Sequence, residues 1–189
     1  MSAQARPTEL ARAGFALPEL LVVLALAAVI VGVGLKNYSG QDGAVKSDAD
    51  MRVVYWQLKL AREVAINQRR SVEVVFEAPN AITLVRHDLP TGTSVVSTTV
   101  LEHQTSFRLF RGLPDTPDGF GNANAINFGA AHQVMFTPDG LLVDEVGNPV
   151  NASIFLGQEN QPTSARAITV FAPTAAIRTY RWTGSAWMH

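Results

Sequence analysis

The most distinct pattern along the chain is an uncharged apolar run near its start. Residues 20–35 are all Leu, Val, Ile, Ala or Gly. Together with residues 15–19 they make a segment of about 21 residues, roughly 31 Å long as a helix, which matches a bilayer core of about 30 Å. Glu19 is the one acid in this segment, and a carboxylate in lipid calls for a partner or a function. We therefore predict a transmembrane helix over residues 15–36.

A second helical pattern follows a stretch that contains Gly40 and Gly43, which predicts a break in the helix. Ser47 and Asp50 resemble a capping box, so the helix is expected to restart there and to end near residue 67, within a segment that spans residues 37–70. This helix has two apolar faces, so it needs two partners. Its own sheet is one, and the other is either helices of other subunits or the rest of its own domain. The first face contains Met51, Val54, Tyr55, Leu58, Ala61, Ala65 and Ile66, and the second contains Val53, Trp56, Leu60 and Val64.

From Ser71 onward, short apolar stretches alternate with turn residues, which is typical of β-strands. The predicted strands cover residues 72–76, 82–86, 94–101, 106–110, 133–136, 141–143, 153–156, 167–171 and 177–182. Turns are expected at 78–81 and 137–140, and a long surface loop at 112–129. The fold class is therefore α+β: a long N-terminal helix, with a membrane-spanning half and an amphipathic half, packed on an antiparallel β domain at residues 71–189.

The residues around the start of the apolar run resemble the class III signal of type IV prepilins and type II secretion pseudopilins. The resemblance rests on Gly14, Phe15, the leucines and Glu19. It implies a leader at residues 1–14, which prepilin peptidase removes by cutting between Gly14 and Phe15, and N-methylation of Phe15. It also implies that Glu19 pairs with the N-terminal amine of a neighbouring subunit, and opposite charges do attract strongly where the dielectric is low.

Two simpler interpretations of the N terminus remain open. An ordinary secretory signal would use Ala25-Leu26-Ala27 as its cleavage site, but Glu19 would then lie in the apolar region and half of the run would stay on the mature chain. A plain membrane anchor explains the length of the run and its basic flank, but it explains neither Gly14-Phe15 nor Glu19.

The rest of the chain is similar to minor pseudopilins of the FimT/GspH type. That family carries an Ala-Arg-x-x-Ala stretch on the helix, here residues 61–65, and a Phe-x-Pro-x-Gly hairpin, here residues 136–140. It ends in an Ile-x-Val strand, here residues 168–170, followed by a turn that contains Gly-Arg. The chain departs from the family at this turn, where Ala175 and Ala176 replace the usual glycine and arginine.

Composition and charge narrow the range of functions. Arg6 and Arg12 favour a cytoplasmic N terminus, which predicts a single-pass protein of the bacterial inner membrane with a periplasmic or, after assembly, extracellular β domain. The net charge of −1 provides no global field for nucleic acid. No residues show catalytic or metal-ligand spacing, so we predict neither an enzyme nor a cofactor. Asp115 and Asp118 are only weak evidence for calcium, and no metal site is predicted.

The C-terminal strand carries the one candidate ligand site. Arg178 and Arg181 alternate with Tyr180, Trp182 and Trp187, and such mixtures of basic and aromatic side chains bind phosphates and stack on bases. Some FimT-like pilins are implicated in DNA uptake through C-terminal arginines, so the resemblance permits the same role here.

The sequence thus predicts a minor pilin or pseudopilin, a structural subunit that helps to prime a type II secretion pseudopilus or a type IV pilus. Its predicted partners are other pilins or pseudopilins, bound through the N-terminal helix, together with prepilin peptidase and the inner membrane. A DNA-binding minor pilin for natural transformation is the alternative. A lone membrane-anchored β domain is the third hypothesis.

Overall fold

The computed structural model of the chain describes residues 17–189, without the side chains of residue 19 and of residues 32–42. The chain divides into two units, residues 1–40 and residues 41–189, and each is described by itself. Among the described residues, no helix has the combination of length and apolar character that crossing a membrane requires. The predicted leader at residues 1–14 and the start of the predicted membrane helix lie outside the described residues.

One helix precedes all of the strands. Helix α1 is assigned over Leu17–Gln68. The strands are β1 (Val72–Glu77), β2 (Ala81–His87), β3 (Thr93–Val100), β4 (Thr105–Phe107), β5 (Ile126–Asn127), β6 (Val134–Phe136), β7 (Leu142–Asp144), β8 (Ala152–Gln158), β9 (Arg166–Phe171), β10 (Ala176–Trp182) and β11 (Trp187–Met188), with a 3-10 turn at Pro162–Ser164 between β8 and β9.

The strands form two antiparallel sheets. The first sheet has the order β3-β2-β1-β6-β7. The second has the order β11-β10-β9-β8-β4, and β5 also pairs with β8. The predicted hairpin with its turn at 78–81 is β1–β2, and the one with its turn at 137–140 is β6–β7. The α+β fold class is confirmed, because the helix packs on antiparallel sheets.

The core lies where one face of α1 meets both sheets. Met51, Val54, Leu58, Ala61 and Ala65 of the predicted first face are buried. They share one cluster with apolar residues of both sheets, which include Val72, Val74, Ile82, Leu84, Phe136, Ile154, Leu156 and Ile168. Tyr55 is half-buried and Ile66 is exposed, so the buried stripe is narrower than predicted.

The second apolar face of the helix is divided. Val53 and Val64 pack against the edge of the core. Trp56 remains 64% exposed and Leu60 37% exposed. The domain therefore encloses part of this face and leaves the part that contains Trp56 uncovered among the described residues.

The expected N-cap at Ser47 is wrong. An N-cap residue has a non-helical backbone, whereas Ser47 is a buried residue within α1, with helical residues on both sides. The glycine that suggested a break just before it has another role. A Cβ on Gly43 would lie 1.9 Å from the Oε1 atom of Gln161, so glycine is needed there because helix and turn approach each other closely. The helix assignment accordingly continues through residues 37–43, while the other domain boundaries stay predictions.

A buried arginine ties the helix to the second sheet. Arg166, at the start of β9, is 3% exposed. Its Nε atom lies 2.5 Å from the Oδ1 atom of Asp48, and its Nη2 atom donates to the Ala44 carbonyl at 2.9 Å. Its Nη1 atom donates to the carbonyls of Thr163 and Ala165 at 3.1 and 2.9 Å. One guanidinium group therefore joins the helix, β9 and the 3-10 turn.

Replacing Arg166 should strongly destabilise the domain. In Arg166→Met the carboxylate of Asp48 and three carbonyls lose this partner, and breaking a buried ion pair costs about 3–5 kcal/mol. We expect that loss in the free energy of unfolding, measured with urea by tryptophan fluorescence. Arg166→Lys should fall in between, because an ammonium group cannot reproduce the planar set of contacts.

The matched control is Arg111→Met, which changes the same side chain at an exposed loop position. It should alter the free energy of unfolding by no more than about 0.5 kcal/mol. Equal effects of the two substitutions would contradict the role assigned to Arg166.

Candidate functional site

The residues of the predicted processing site are not open to structural description. Gly14 and Phe15 lie outside the described residues, as does the side chain of Glu19. The apolar run that follows them is described in part. Its large side chains from Leu17 to Val31 are each at least 54% exposed within the unit to which they belong.

Arg178 lies on the face of β10 that is covered by the loop after β4. Its guanidinium forms a short ion pair with the carboxylate of Asp118 in that loop. The side chain of Arg178 is 55% exposed, whereas that of Asp118 is 7% exposed. The hydrogen bond to Asp118 is also the main cause that raises the pKa of Arg178. The positive charge of Arg178 is thus neutralised by a neighbour in the same domain.

Asp118 holds the long loop against the second sheet. Its Oδ2 atom accepts hydrogen bonds from Thr169 Oγ1 at 2.5 Å and from Tyr180 OH at 2.9 Å. Burial raises the pKa of Asp118, but the hydrogen bonds from Thr169, Tyr180 and Arg178 outweigh it and hold the pKa below the ordinary 3.8. Burial and the nearby carboxylate together raise the pKa of Tyr180. The loop is therefore fixed by an ionised carboxylate.

Arg181 lies on the opposite face of β10 and belongs to another ion pair. Its Nε atom is 3.1 Å from the Oδ1 atom of Asp48, which also binds Arg166. Arg166 and Arg181 are direct partners in the register of β9 and β10, so both reach the same helix residue. Arg181 is 53% exposed and, unlike Arg166, has most of its side chain in solvent.

The two predicted DNA-binding residues are thus not brought together. Arg178 and Arg181 are three residues apart in one strand and point to opposite sides of the sheet. Each is engaged by an aspartate of the same domain. A shared phosphate-binding surface would need both guanidinium groups on one face. DNA binding at these arginines stays a prediction, and this geometry does not favour it.

The two acids considered for calcium have hydrogen-bonding roles. Asp115 accepts hydrogen bonds from the backbone N–H groups of Thr116 and Gly121, each at 2.7 Å. Asp118 is occupied by Thr169, Tyr180 and Arg178, as described above. Within the described part of the chain, no group of three or more His, Cys, Asp or Glu side chains is placed to hold a metal ion.

The motifs that carry the family resemblance meet at the C-terminal end of α1. Arg62 donates from Nε to the Gly140 carbonyl at 3.0 Å and from Nη2 to the Thr174 carbonyl at 3.3 Å. A Cβ on Gly140 would lie 2.8 Å from the side chain of Ile66, and its φ of +77° also favours glycine. The Ala-Arg-x-x-Ala helix and the Phe-x-Pro-x-Gly hairpin are thus parts of one junction, and their role here is structural.

The departure from the family pattern also lies at this junction. Ala175 has a φ of +48°, a conformation in which glycine is usual. Its methyl group is buried in the main core. The contact of the methyl group offsets part of the backbone strain, which explains why alanine is tolerated there.

The sequence missed the partners of both arginines. Asp118 was considered only for calcium, and Asp48 and Arg166 were given no role. The Asp118–Arg178 and Asp48–Arg166 pairs each join residues at least 60 positions apart in the chain. No local pattern marks such a pairing, although a charged residue at the first position of a buried strand such as β9 was a usable indication.

Removing the Asp118 carboxylate should weaken the attachment of the loop in a pH-dependent way. Because its pKa is lower in the folded than in the unfolded chain, the group stabilises the fold above about 3.8 and loses this effect as the pH falls further. We expect Asp118→Asn to lower the free energy of unfolding by about 1–3 kcal/mol at pH 7, and less below that point. Urea unfolding between about pH 2.5 and about pH 7, a range that includes the titration of an aspartate, would measure this difference.

Asp139→Asn is the control, since Asp139 is exposed in the β6–β7 turn. A difference between Asp118→Asn and the wild-type chain that stays constant with pH would show that the carboxylate acts by its shape and not by its charge.

No family model matches the sequence, and no curated protein is significantly similar to it. Among solved structures, the chain is similar to two of the minor pseudopilin EpsH from the type II secretion system of Vibrio cholerae. The first is 13% identical with a TM-score of 0.48, over 72% of this chain and 97% of that one. The second is 17% identical with a TM-score of 0.46, over 72% of this chain and 94% of that one. The likeness is one of fold.

Proposed function

We propose that this chain is a minor pilin or pseudopilin, a structural subunit of a type II secretion pseudopilus or a type IV pilus that helps to prime filament assembly. The observation that carries the proposal is the combination of Gly14, Phe15 and Glu19 with the apolar run that follows. The β domain adds support, because its helix and hairpin motifs meet at the Arg62 junction.

The apolar run needs a partner that the described residues do not supply. From Leu17 to Val31 its large side chains are exposed. Burying each of them is worth about 1.5–3 kcal/mol, so such a surface does not stay in water. Lipid covers it before assembly, and the helices of neighbouring subunits cover it in the filament. Helices that leave lipid gain close packing and a partner for any polar group.

Glu19 supplies that polar group. Prepilin peptidase cuts after Gly14 and leaves the amine of Phe15 as the new N terminus. The carboxylate of Glu19 in one subunit then pairs with the amine of another. Each charge alone is unfavourable in a low dielectric, so the pair forms only when a second helix arrives in the correct register. The N terminus lies in the cytoplasm before cleavage, and the β domain lies on the outer side of the inner membrane.

Processing can be tested in cells that produce the chain together with a prepilin peptidase. We expect the mature protein to begin at Phe15 and to carry one N-terminal methyl group, as measured by mass spectrometry. Gly14→Val should block the cut, because a bulky side chain replaces the small residue at the cleavage point. Gly34→Val, a matched change in the apolar run, should be processed normally. A wild-type chain that keeps residues 1–14 in these cells would contradict the proposal.

Assembly can be tested separately from processing. In Glu19→Gln the shape of the side chain is kept and its charge is lost, so the neighbouring amine remains unpaired, at a cost of about 3–5 kcal/mol. We expect cleavage to continue but co-purification with other pilin subunits from membranes to fall at least about tenfold.

The control for this variant is Gln41→Glu, which reverses the exchange at a position outside the apolar run and should leave co-purification unchanged. Normal assembly of Glu19→Gln would leave the carboxylate without its proposed role, even if the chain is processed.

A further inference from the structure

A groove lies between α1 and the outer edge of the second sheet. It has a volume of about 510 Å³. The helix contributes Arg52, Tyr55 and Trp56 to its wall, and β10 contributes Ile177 and Thr179 to its floor. The ring of Trp56 stands edge-on to that of Tyr55, with 5.5 Å between the ring centroids. Met51, Arg181 and His189 complete the lining. The groove therefore has a floor of mixed character and an aromatic wall that is open to solvent.

The strand that forms the floor has a free edge. β11 pairs with β10 only at Arg181 and Trp182, so residues 176–180 of β10 have no strand beyond them in the described part of the chain. The N–H of Trp182 points inward, because it donates to the carbonyl of Ala165, the residue just before β9. Because backbone groups alternate along an antiparallel strand, Ile177 and Thr179 direct their N–H and C=O groups to the outer edge. Such an edge is a template for another strand.

The charges around the groove are mainly positive. Asp48 is shared by two guanidinium groups, those of Arg166 and Arg181. Arg52 adds a further exposed positive charge. The Nζ atom of Lys59 lies 5.7 Å from the centre of the Tyr55 ring, so another cation borders the aromatic wall. The surface is thus complementary to an acidic ligand.

We propose that this groove binds an extended, acidic segment of a partner protein, which adds to β10 as a further strand. Its backbone pairs with Ile177 and Thr179, one apolar side chain lies against Tyr55 and Trp56, and an acidic side chain meets Arg52. Strand addition obtains affinity from main-chain hydrogen bonds and specificity from the alternate side chains.

Nucleic acid fits the same surface less well. Its phosphates and bases would use the arginines and aromatic rings. However, it would leave the backbone groups of Ile177 and Thr179 without the regular pairing that a strand provides. This proposal uses only residues 48–189 of the chain. It therefore stands apart from the processing and assembly proposed above, and each can fail without the other.

The test uses the full chain in detergent micelles and three fluorescent probes. The first is a heptapeptide with threonine at its even positions and with valine and aspartate in turn at its odd positions, so that both apolar and acidic side chains face the helix in a strand. The second is the same peptide with lysine in place of aspartate, and the third is an oligothymidine. Fluorescence anisotropy should show that the acidic peptide binds at least about tenfold more tightly than the other two. Its binding should also slow amide hydrogen exchange at Ile177 and Thr179, which reports strand pairing directly.

Substitutions then locate the binding. Arg52→Glu should weaken the acidic peptide at least about fivefold, whereas Arg111→Glu, the same change at an exposed site away from the groove, should not. Thr179→Pro removes one backbone N–H donor from the outer edge of β10, so it should also weaken binding. The variant is expected to fold, because proline is tolerated at an outward-facing position of an edge strand.

The amide exchange measurement on the wild-type chain does not depend on how Thr179→Pro folds. The proposal is overturned if the acidic peptide does not bind, if Arg52→Glu and Arg111→Glu behave alike, if Ile177 and Thr179 gain no protection, or if oligothymidine binds more tightly.

Discussion

The ion pair between Arg166 and Asp48 is the contact on which the arrangement of the domain depends. Apolar burial selects the face of the helix that meets the sheets, but the hydrophobic effect itself is non-directional. A buried guanidinium has a fixed geometry, and all its donors must find acceptors. Its contacts to Ala44, Asp48, Thr163 and Ala165 set the position of the helix relative to β9. The core can then pack around one defined register.

The second sheet is fixed from its other side by a similar device. Asp118 draws the loop after β4 onto β9 and β10 through Thr169, Arg178 and Tyr180. The neighbouring strand β8 lies inside the sheet, between β9 and β4, and all seven of its residues are buried. The arginines of β10 are thus largely committed to holding their own domain together, and the free chemical groups of this strand are those of its outer edge.

Much of the fold follows from short-range patterns in the sequence. The helical face of Met51, Val54 and Leu58 was predicted from its period, and both hairpins from proline and turn residues. What could not be predicted depends on distant residues. From the sequence, Gly43 was interpreted as a helix breaker. In the structure it leaves space for the side chain of Gln161, which is more than a hundred positions away and could not be recognised as its neighbour. The division of the strands into two sheets and the ion pairs of Arg178 and Arg181 also depend on residues that are far apart in the sequence, so no local pattern predicted them. The residues predicted to be processed, in contrast, form a local motif, and that is why the sequence alone can suggest them.

Besides its buried apolar face, the helix is attached by arginine contacts near both ends of the segment that packs on the sheets. Arg166 binds the helix at Ala44 and Asp48. Arg62, about 14 residues after Asp48 or roughly 21 Å along the axis, binds the carbonyls of two turns. A pull along the axis of this segment therefore acts on both attachments at once, in shear, and cannot peel them apart one after the other. The attachment of this helical segment is therefore expected to resist a force along the helix axis better than a force across it.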